Sequence, residues 1–198
     1  MLPTEVLQQE HRIIEQVLSC LEKLVEQARS GGGLDRSAAS RAIEFFRTFA
    51  DGCHHRKEED FLFPMMESRG FSRQGGPTGV MLFEHEEGRK LIRGMNESLD
   101  GAARGEPRSM FRFMECARTY AQLLRAHIQK EDHCLFPMAA NVLGPAEQDS
   151  LVESFVAMDR EVPGQGAKER CILLANELAD QFGVAHVCVE VSEANLTA

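Results

Sequence analysis

Apolar residues recur at intervals of three or four positions in four separate stretches of the chain. In the first stretch the recurring positions are Leu7, His11, Ile14, Leu18, Leu21 and Val25, so that one histidine lies among apolar residues. This interval places the recurring side chains on one face of a helix, which Thr4 can cap at its start. Three glycines at positions 31–33 end the stretch, and Asp35 or Ser37 can open the next helix. The pattern predicts four helices that turn one face towards a shared core.

The third stretch repeats the first at an offset of 74 residues. Its recurring positions are Met81, His85, Gly88, Ile92, Met95 and Leu99. His85 therefore occupies the position of His11, and the pair Glu84-His85 aligns with Glu10-His11. Internal repetition of this kind indicates a duplicated structural unit.

The second and fourth stretches repeat one another at an offset of 73 residues, over positions 54–64 and 127–137. Each begins with a histidine, has a lysine three residues later and a glutamate four residues later, and ends in Leu-Phe-Pro. The chain thus has the pattern of a duplicated helical hairpin, with a histidine on the first helix and His-x-x-x-Glu on the second. In the second helix we expect Pro64 to cause a break or kink near Phe63.

The repeated histidines and glutamates have the chemistry of a metal site. Residues four apart on a helix point the same way, and an imidazole with a carboxylate can bind one divalent metal, or two if the carboxylate bridges. His54 lies 43 residues after His11, and His127 lies 42 residues after His85. An up-down-up-down bundle with pseudo-twofold symmetry would place all four histidines and both glutamates around one cavity. Because six ligands exceed the need of one tetrahedral zinc, we favour two metals that share carboxylates.

Each of these residues taken singly has a simpler explanation. A lone histidine on an apolar helix face more often belongs to the core, and a lone His-x-x-x-Glu pair is more often a surface contact. The pairwise repetition reverses that judgement, because burying these groups without a metal would cost several kcal/mol for each unpaired charge.

Beyond Pro137 the sequence predicts a helical extension. Gly144-Pro145 marks a break, after which the apolar spacing fits two further helices separated by Val162-Pro163-Gly164. We expect a bundle at residues 1–140, a helical extension packed on it at 141–183, and a tail at 184–198. The length of 198 residues suits one well-buried core and is short for two full domains.

Composition narrows the class of protein. The chain has 31 acidic and 22 basic residues, a net charge of −9, and its basic residues are scattered. We therefore expect no nucleic-acid partner and no membrane partner. No apolar run is long enough to cross a bilayer, and the N-terminus lacks the pattern of a signal peptide, so we expect a soluble, cytoplasmic protein. The six cysteines stand singly without a Cys-x-x-Cys pair, which favours reduced thiols.

The repeated hairpin, with its two Leu-Phe-Pro endings, resembles the hemerythrin-like, or HHE cation-binding, proteins over roughly residues 5–140. The segment 161–166 also looks like the continuation common in bacterial members. This resemblance implies a non-haem centre of two iron ions in an all-α four-helix bundle, with carboxylates bridging the irons and an oxo or hydroxo bridge when oxidised. The ligands it implies are His11, His54, Glu58, His85, His127 and Glu131.

The resemblance is incomplete at two ligand positions. Oxygen-carrying hemerythrins have a second histidine four residues after the one on the third helix, and here that residue is Arg89. His55 is the best substitute as a fifth histidine ligand, although a partly exposed histidine is an equally good interpretation. Those hemerythrins also place the last carboxylate five residues after its histidine, which would select Asp132, whereas the repeat favours Glu131. Asp132 and its equivalent Glu59 are then solvated, or hold ligand imidazoles in one tautomer.

Two further residues on the inward faces have alternative explanations. Gly88 removes a side chain from the third helix, either to relieve crowding or to leave room for a small ligand. Tyr120 lies two turns before His127 and either packs in the core or faces the cavity.

Three functions fit these observations. The first is a di-iron protein that binds or senses a small oxidant such as dioxygen or nitric oxide. The second is a di-iron enzyme of oxidative or nitrosative stress defence, which handles peroxide or nitric oxide or repairs iron centres. The third is a helical bundle that holds zinc or no metal and has a structural role. The expected partner is a small diatomic or peroxide ligand, and the sequence identifies no protein partner.

Overall fold

The computed structural model describes residues 1–161 and 166–187, which form helices and connecting turns without a strand. The α-helices, in chain order, are α1 (Pro3–Gln27), α2 (Arg36–Phe45), α3 (Phe63–Ser68), α4 (Pro77–Ala103), α5 (Pro107–Lys130), α6 (Phe136–Val142), α7 (Pro145–Glu161) and α8 (Ala167–Phe182). Wider, π-helical turns occupy Ala28–Gly32, Phe46–His55, Glu58–Leu62 and Glu131–Leu135.

Four long helical segments form an up-down-up-down bundle. The first is α1, the second runs from α2 through two π-helical stretches into α3, the third is α4, and the fourth runs from α5 through a π-helical turn into α6. Around the bundle, α1 contacts α2, α2 contacts α4, α4 contacts α5, and α5 contacts α1. The predicted all-α, four-helix architecture is therefore confirmed.

The helix starts follow local chemistry. Asp35 caps α2 as predicted, because its side chain accepts a hydrogen bond of 3.0 Å from the Ala38 backbone N–H. The first helix starts earlier than a cap at Thr4 would allow, at Pro3, whose fixed backbone angle and missing N–H suit the first turn.

Of the break or kink expected near Phe63, the break is wrong, and the kink stays a prediction. The chain stays helical through Pro64, because a π-helical turn over Glu58–Leu62 precedes the proline. The backbone N–H of Phe63 bonds the Glu58 carbonyl five residues earlier, and Phe136 bonds Glu131 in the same way. Each wider turn thus begins at a glutamate of the repeat, as is frequent where a helix carries a functional site.

The core consists of two apolar clusters with a polar layer between them. On α1, Leu7 belongs to one cluster and Ile14 to the other, and His11 lies between them along the helix. The same order holds on α4, where His85 lies between Met81 and Ile92. The polar layer is therefore enclosed by apolar packing on both sides.

The two C-terminal helices pack on the outside of the bundle, where both contact α1. The division into 1–140, 141–183 and 184–198 remains a prediction. The Val162-Pro163-Gly164 break, part of the 161–166 segment and residues 188–198 of the tail lie outside the described residues. Within the described residues, no helix is long and apolar enough to cross a membrane. The cysteines there are free thiols, in agreement with the sequence prediction.

Candidate metal centre

The bundle brings all seven predicted metal-site residues into its polar layer. They are His11 on α1, His54, His55 and Glu58 in the π-helical part of the second segment, His85 on α4, His127 near the end of α5, and Glu131 in the π-helical turn that follows. All seven side chains are buried.

These side chains form two groups that share Glu58. His11, His54, Glu58 and Glu131 form one group, which we call the first position. His55, Glu58, His85 and His127 form the other, the second position. Within each group the candidate ligand atoms lie within 4.8 Å of one another, so each group could hold one metal ion.

Both glutamates lie between the two positions. One oxygen of Glu58 is 3.6 Å from His54 Nε2, and the other is 3.5 Å from His85 Nε2. Oε2 of Glu131 is 3.2 Å from both His11 Nε2 and His127 Nε2. Each carboxylate is thus placed to bridge two ions.

The inner atoms of the centre have no satisfactory partners without a cation. Nε2 of His11, Nε2 of His54, and both oxygens of Glu58 and of Glu131 are buried without a hydrogen bond. Nε2 of His85 faces Nε2 of His127 at 3.2 Å. Buried polar atoms normally have hydrogen-bond partners. A layer with this many unpaired imidazole nitrogens and carboxylate oxygens therefore fits the binding of metal ions.

The outer nitrogen of each repeated histidine does have a partner. His11 Nδ1 is 2.7 Å from Asp132, and His85 Nδ1 is 2.6 Å from Glu59. Asp132 and Glu59 are therefore not simply solvated, and the structure supports the second interpretation, in which they hold imidazoles in one tautomer. A carboxylate on Nδ1 fixes the proton there and leaves the Nε2 lone pair free for a metal.

The other repeated pair follows the same rule with different partners. His54 Nδ1 is 3.2 Å from Glu10, and His127 Nδ1 is 2.9 Å from Glu84. These two glutamates align in the sequence repeat, but no role was predicted for them. Their repetition directly before His11 and His85 was the signal that could have identified them.

His55 and Arg89 differ from the repeated pairs. His55 is buried and stacks on His85 with ring centroids 3.9 Å apart, so its interpretation as a partly exposed residue is wrong. Its Nδ1 is 3.6 Å from Asp51. Arg89 donates to Asp51 and to Glu59, at 2.7 Å in both cases, and so supports carboxylates that face two histidines.

Burial and neighbouring charges shift the pKa values of the two glutamates and of His127 in this centre. Burial and the neighbouring Glu131 raise the pKa of Glu58 well above its ordinary value. Burial also opposes the charged form of Glu131, but His127 and His11 outweigh it and lower the pKa. The pKa of His127 is raised to about 9, since Glu131 and Glu84 outweigh burial. Protons thus stabilise the layer where metal ions would otherwise supply positive charge.

Comparison with protein families agrees with this geometry. The sequence model of the hemerythrin HHE cation-binding domain matches residues 2–139. The chain belongs to this family. It is also 22% identical over 180 residues to uncharacterised proteins of Mycobacterium tuberculosis and Mycobacterium bovis, covering 91% of this chain and 70% of each relative. No solved structure matches the chain significantly. The chain thus has a hemerythrin-like cation-binding domain, and its buried histidine and glutamate clusters fit a metal site.

The two metal positions of this hemerythrin-family centre also differ in the space beside them. A cavity of about 10 Å³ adjoins the second position, and its wall includes His55, His85, Gly88, Tyr120 and His127. The Tyr120 hydroxyl is buried without a hydrogen-bond partner. In the other half the residue equivalent to Gly88 is Ile14, which is fully buried. Gly88 therefore leaves space beside the second position, with room for about one water molecule, where the equivalent residue beside the first position has a buried side chain.

Proposed function

We propose that this protein holds two iron ions and binds or senses a small oxidant such as dioxygen or nitric oxide. The observation that carries the proposal is the pair of buried ligand groups that share Glu58, with their inner atoms unpaired. His11 and His54 would hold one ion, and His55, His85 and His127 the other. Glu58 and Glu131 would connect them, and bound iron would supply the redox chemistry.

The donor set favours mild chemistry. Five histidines and two carboxylates give fewer negative charges than the carboxylate-rich sites of ferritin-like oxidases, so the iron pair receives less charge. Ligand affinity alone does not select iron over zinc. The choice of iron therefore rests on the likeness to hemerythrins.

The cavity beside the second position supports a small ligand. Its volume of about 10 Å³ suits a molecule the size of water or a diatomic gas. The unpaired Tyr120 hydroxyl can donate a hydrogen bond to such a ligand.

Metal analysis with an absorption spectrum tests the proposal. Protein purified in air is expected to contain about two irons per chain and to show the near-ultraviolet bands of a bridged diferric pair. Zinc in place of iron, or no stoichiometric metal, would instead favour the structural role.

A second candidate function is an enzyme that consumes peroxide or nitric oxide. Arg89 stands where oxygen-carrying hemerythrins have a histidine ligand, and if His55 does not replace that ligand, the ion has an open coordination site suited to inner-sphere chemistry. Catalytic turnover of peroxide or nitric oxide at micromolar protein would favour the enzyme, whereas reversible binding without turnover would favour the sensor.

Gly88→Ala is expected to stabilise the fold and weaken ligand binding. The added Cβ would lie 3.5 Å from Tyr120 Cε2, an ordinary contact. Alanine is favoured over glycine within a helix by about 0.5–1 kcal/mol, so the melting temperature should rise. Nitric oxide affinity of the reduced, iron-loaded protein should fall on the order of 10-fold, since an extra methyl group in a filled site costs about 1–3 kcal/mol.

Tyr120→Phe separates the two contributions, because it keeps the ring, adds no volume beside Gly88 and removes only the hydroxyl. Any loss of nitric oxide affinity in Tyr120→Phe would therefore measure the hydrogen bond, whereas the loss in Gly88→Ala would measure the space. Unchanged affinity in Gly88→Ala, together with a raised melting temperature, would show that the ligand does not use this cavity.

A further inference from the structure

Four charged residues form a partly buried cluster between the bundle and the C-terminal helices. We call Glu10, Lys57, Asp159 and Lys168 the Lys57 cluster. The side chain of Lys57 is fully buried, contacts Glu10, and is 2.8 Å from Asp159 on α7. Lys168 on α8 is 2.6 Å from Glu10 and 3.1 Å from Asp159. Two cations and two carboxylates thus balance one another.

The Lys57 cluster reaches a candidate metal ligand through Glu10. One oxygen of Glu10 contacts both lysines, and the other is 3.2 Å from His54 Nδ1. Both oxygens of Glu10 are therefore engaged, one by the two lysines and the other by the His54 ring.

The internal repeat shows what the C-terminal helices add. In the other copy of the repeat, the equivalent contacts run from Lys130 to Glu84 and from Glu84 to His127. The Lys130 side chain is 42% exposed, whereas Lys57 is 0% exposed. Among the described residues, neither Asp159 nor Lys168 has an equivalent beside Lys130. Both also lie beyond residue 139, where the family match ends.

We propose that Asp159 and Lys168 are positioning residues, through which α7 and α8 fix Glu10 and, through it, the ring of His54 at the first metal position. This inference rests on the metal centre proposed above. The extension then acts on only one of the two ions, the one at the first position, and adds to any difference in affinity that the additional His55 gives the second position. Carboxylates that orient metal-binding histidines commonly change metal affinity by about 10–100-fold when they are altered.

The competing explanation is that Lys168 merely docks α8 on the bundle. Lys23 offers a matched control, because its Nζ on α1 donates to the carbonyls of Phe182 and Gly183, at 2.9 and 3.0 Å. Lys23 thus also joins α8 to the bundle but has no contact with Glu10. Lys168→Met and Lys23→Met should both weaken docking, and only the first should disturb His54.

A stepwise Co²⁺ titration of the full chain, followed by absorption, tests this difference. Lys168→Met should weaken one of the two binding steps by about 10-fold. This is the lower end of the range of about 10–100-fold given above, because Lys168 acts on His54 only through Glu10. Lys168→Arg should restore that step, and Lys23→Met should leave both steps unchanged. In a His54→Ala background, Lys168→Met should cause no further loss, since the coupled residue is already absent.

The tautomer of His54 in the metal-free chain, read by nitrogen NMR, gives a second readout. The native protein and Lys23→Met should hold the proton on Nδ1, and Lys168→Met should show a mixture. An equal fall in melting temperature for the two methionine variants, with metal steps and tautomer unchanged, would overturn the proposal. If native protein binds no Co²⁺, the metal-centre proposal fails, and the tautomer still decides whether Lys168 positions His54.

Discussion

Glu58→Ala and Glu131→Ala are each expected to lose metal, while Glu59→Ala keeps it. Glu58 and Glu131 are completely buried, and each contacts a histidine of both metal positions, so removing either would take a proposed bridging ligand from both ions. Metal per chain after dialysis, measured by elemental analysis, should fall from about two towards zero in both variants. Their metal-free forms should still fold, because each loses a carboxylate that has no hydrogen bond without metal.

Glu59→Ala is the control for this prediction. Glu59 faces the outer nitrogen of His85 and also accepts from Arg89, so its removal loosens a ligand without deleting one. We expect affinity to fall by about 10–100-fold, which still leaves near-stoichiometric metal at micromolar concentrations if native binding is tight. Equal metal retention in all three variants would mean that the glutamates between the positions are not ligands.

Removal of metal is expected to lower the melting temperature by about 8–16 °C. A ligand present at about 1,000 times its dissociation constant stabilises the native state by about 4 kcal/mol, and in a chain of this size each kcal/mol shifts the melting temperature by about 2–4 °C. The physical source is the set of buried imidazole and carboxylate atoms that lack partners without metal. Thermal unfolding with and without a chelator measures the shift.

Glu58→Ala provides the internal reference for that experiment. If it loses metal as expected, its melting temperature should not respond to the chelator. A native protein whose melting temperature is equally insensitive would argue against metal as part of the folded state.

The fold was predictable because its helices follow simple periodicity, and the repeat identified which polar residues share a layer. His11 and His85 could be paired through the offset of 74 residues, and the structure places both in the polar layer. The path of the chain at Pro64 was not predictable, because the π-helical turn before it depends on tertiary packing. The ligand role of the seven residues remains a prediction.

The outer parts of the site were harder to predict than the inner ones. Asp159 and Lys168 belong to helices without an internal repeat, so no second copy indicated a function for them. Asp51 lies one turn before His55, and no repeated pattern in the sequence indicates a function for it. Only the folded chain brings these charges together.

The contacts His11–Asp132 and His85–Glu59 each join residues from different copies of the repeated hairpin. Under the internal repeat the two contacts are the same contact, which is the relation found at a twofold interface between identical subunits. Each half therefore supplies the carboxylate that orients a histidine of the other. One hairpin alone would have an incompletely oriented site, and two copies of an ancestral hairpin would complete each other only by pairing. The present chain has the organisation of such a dimer joined into one polypeptide.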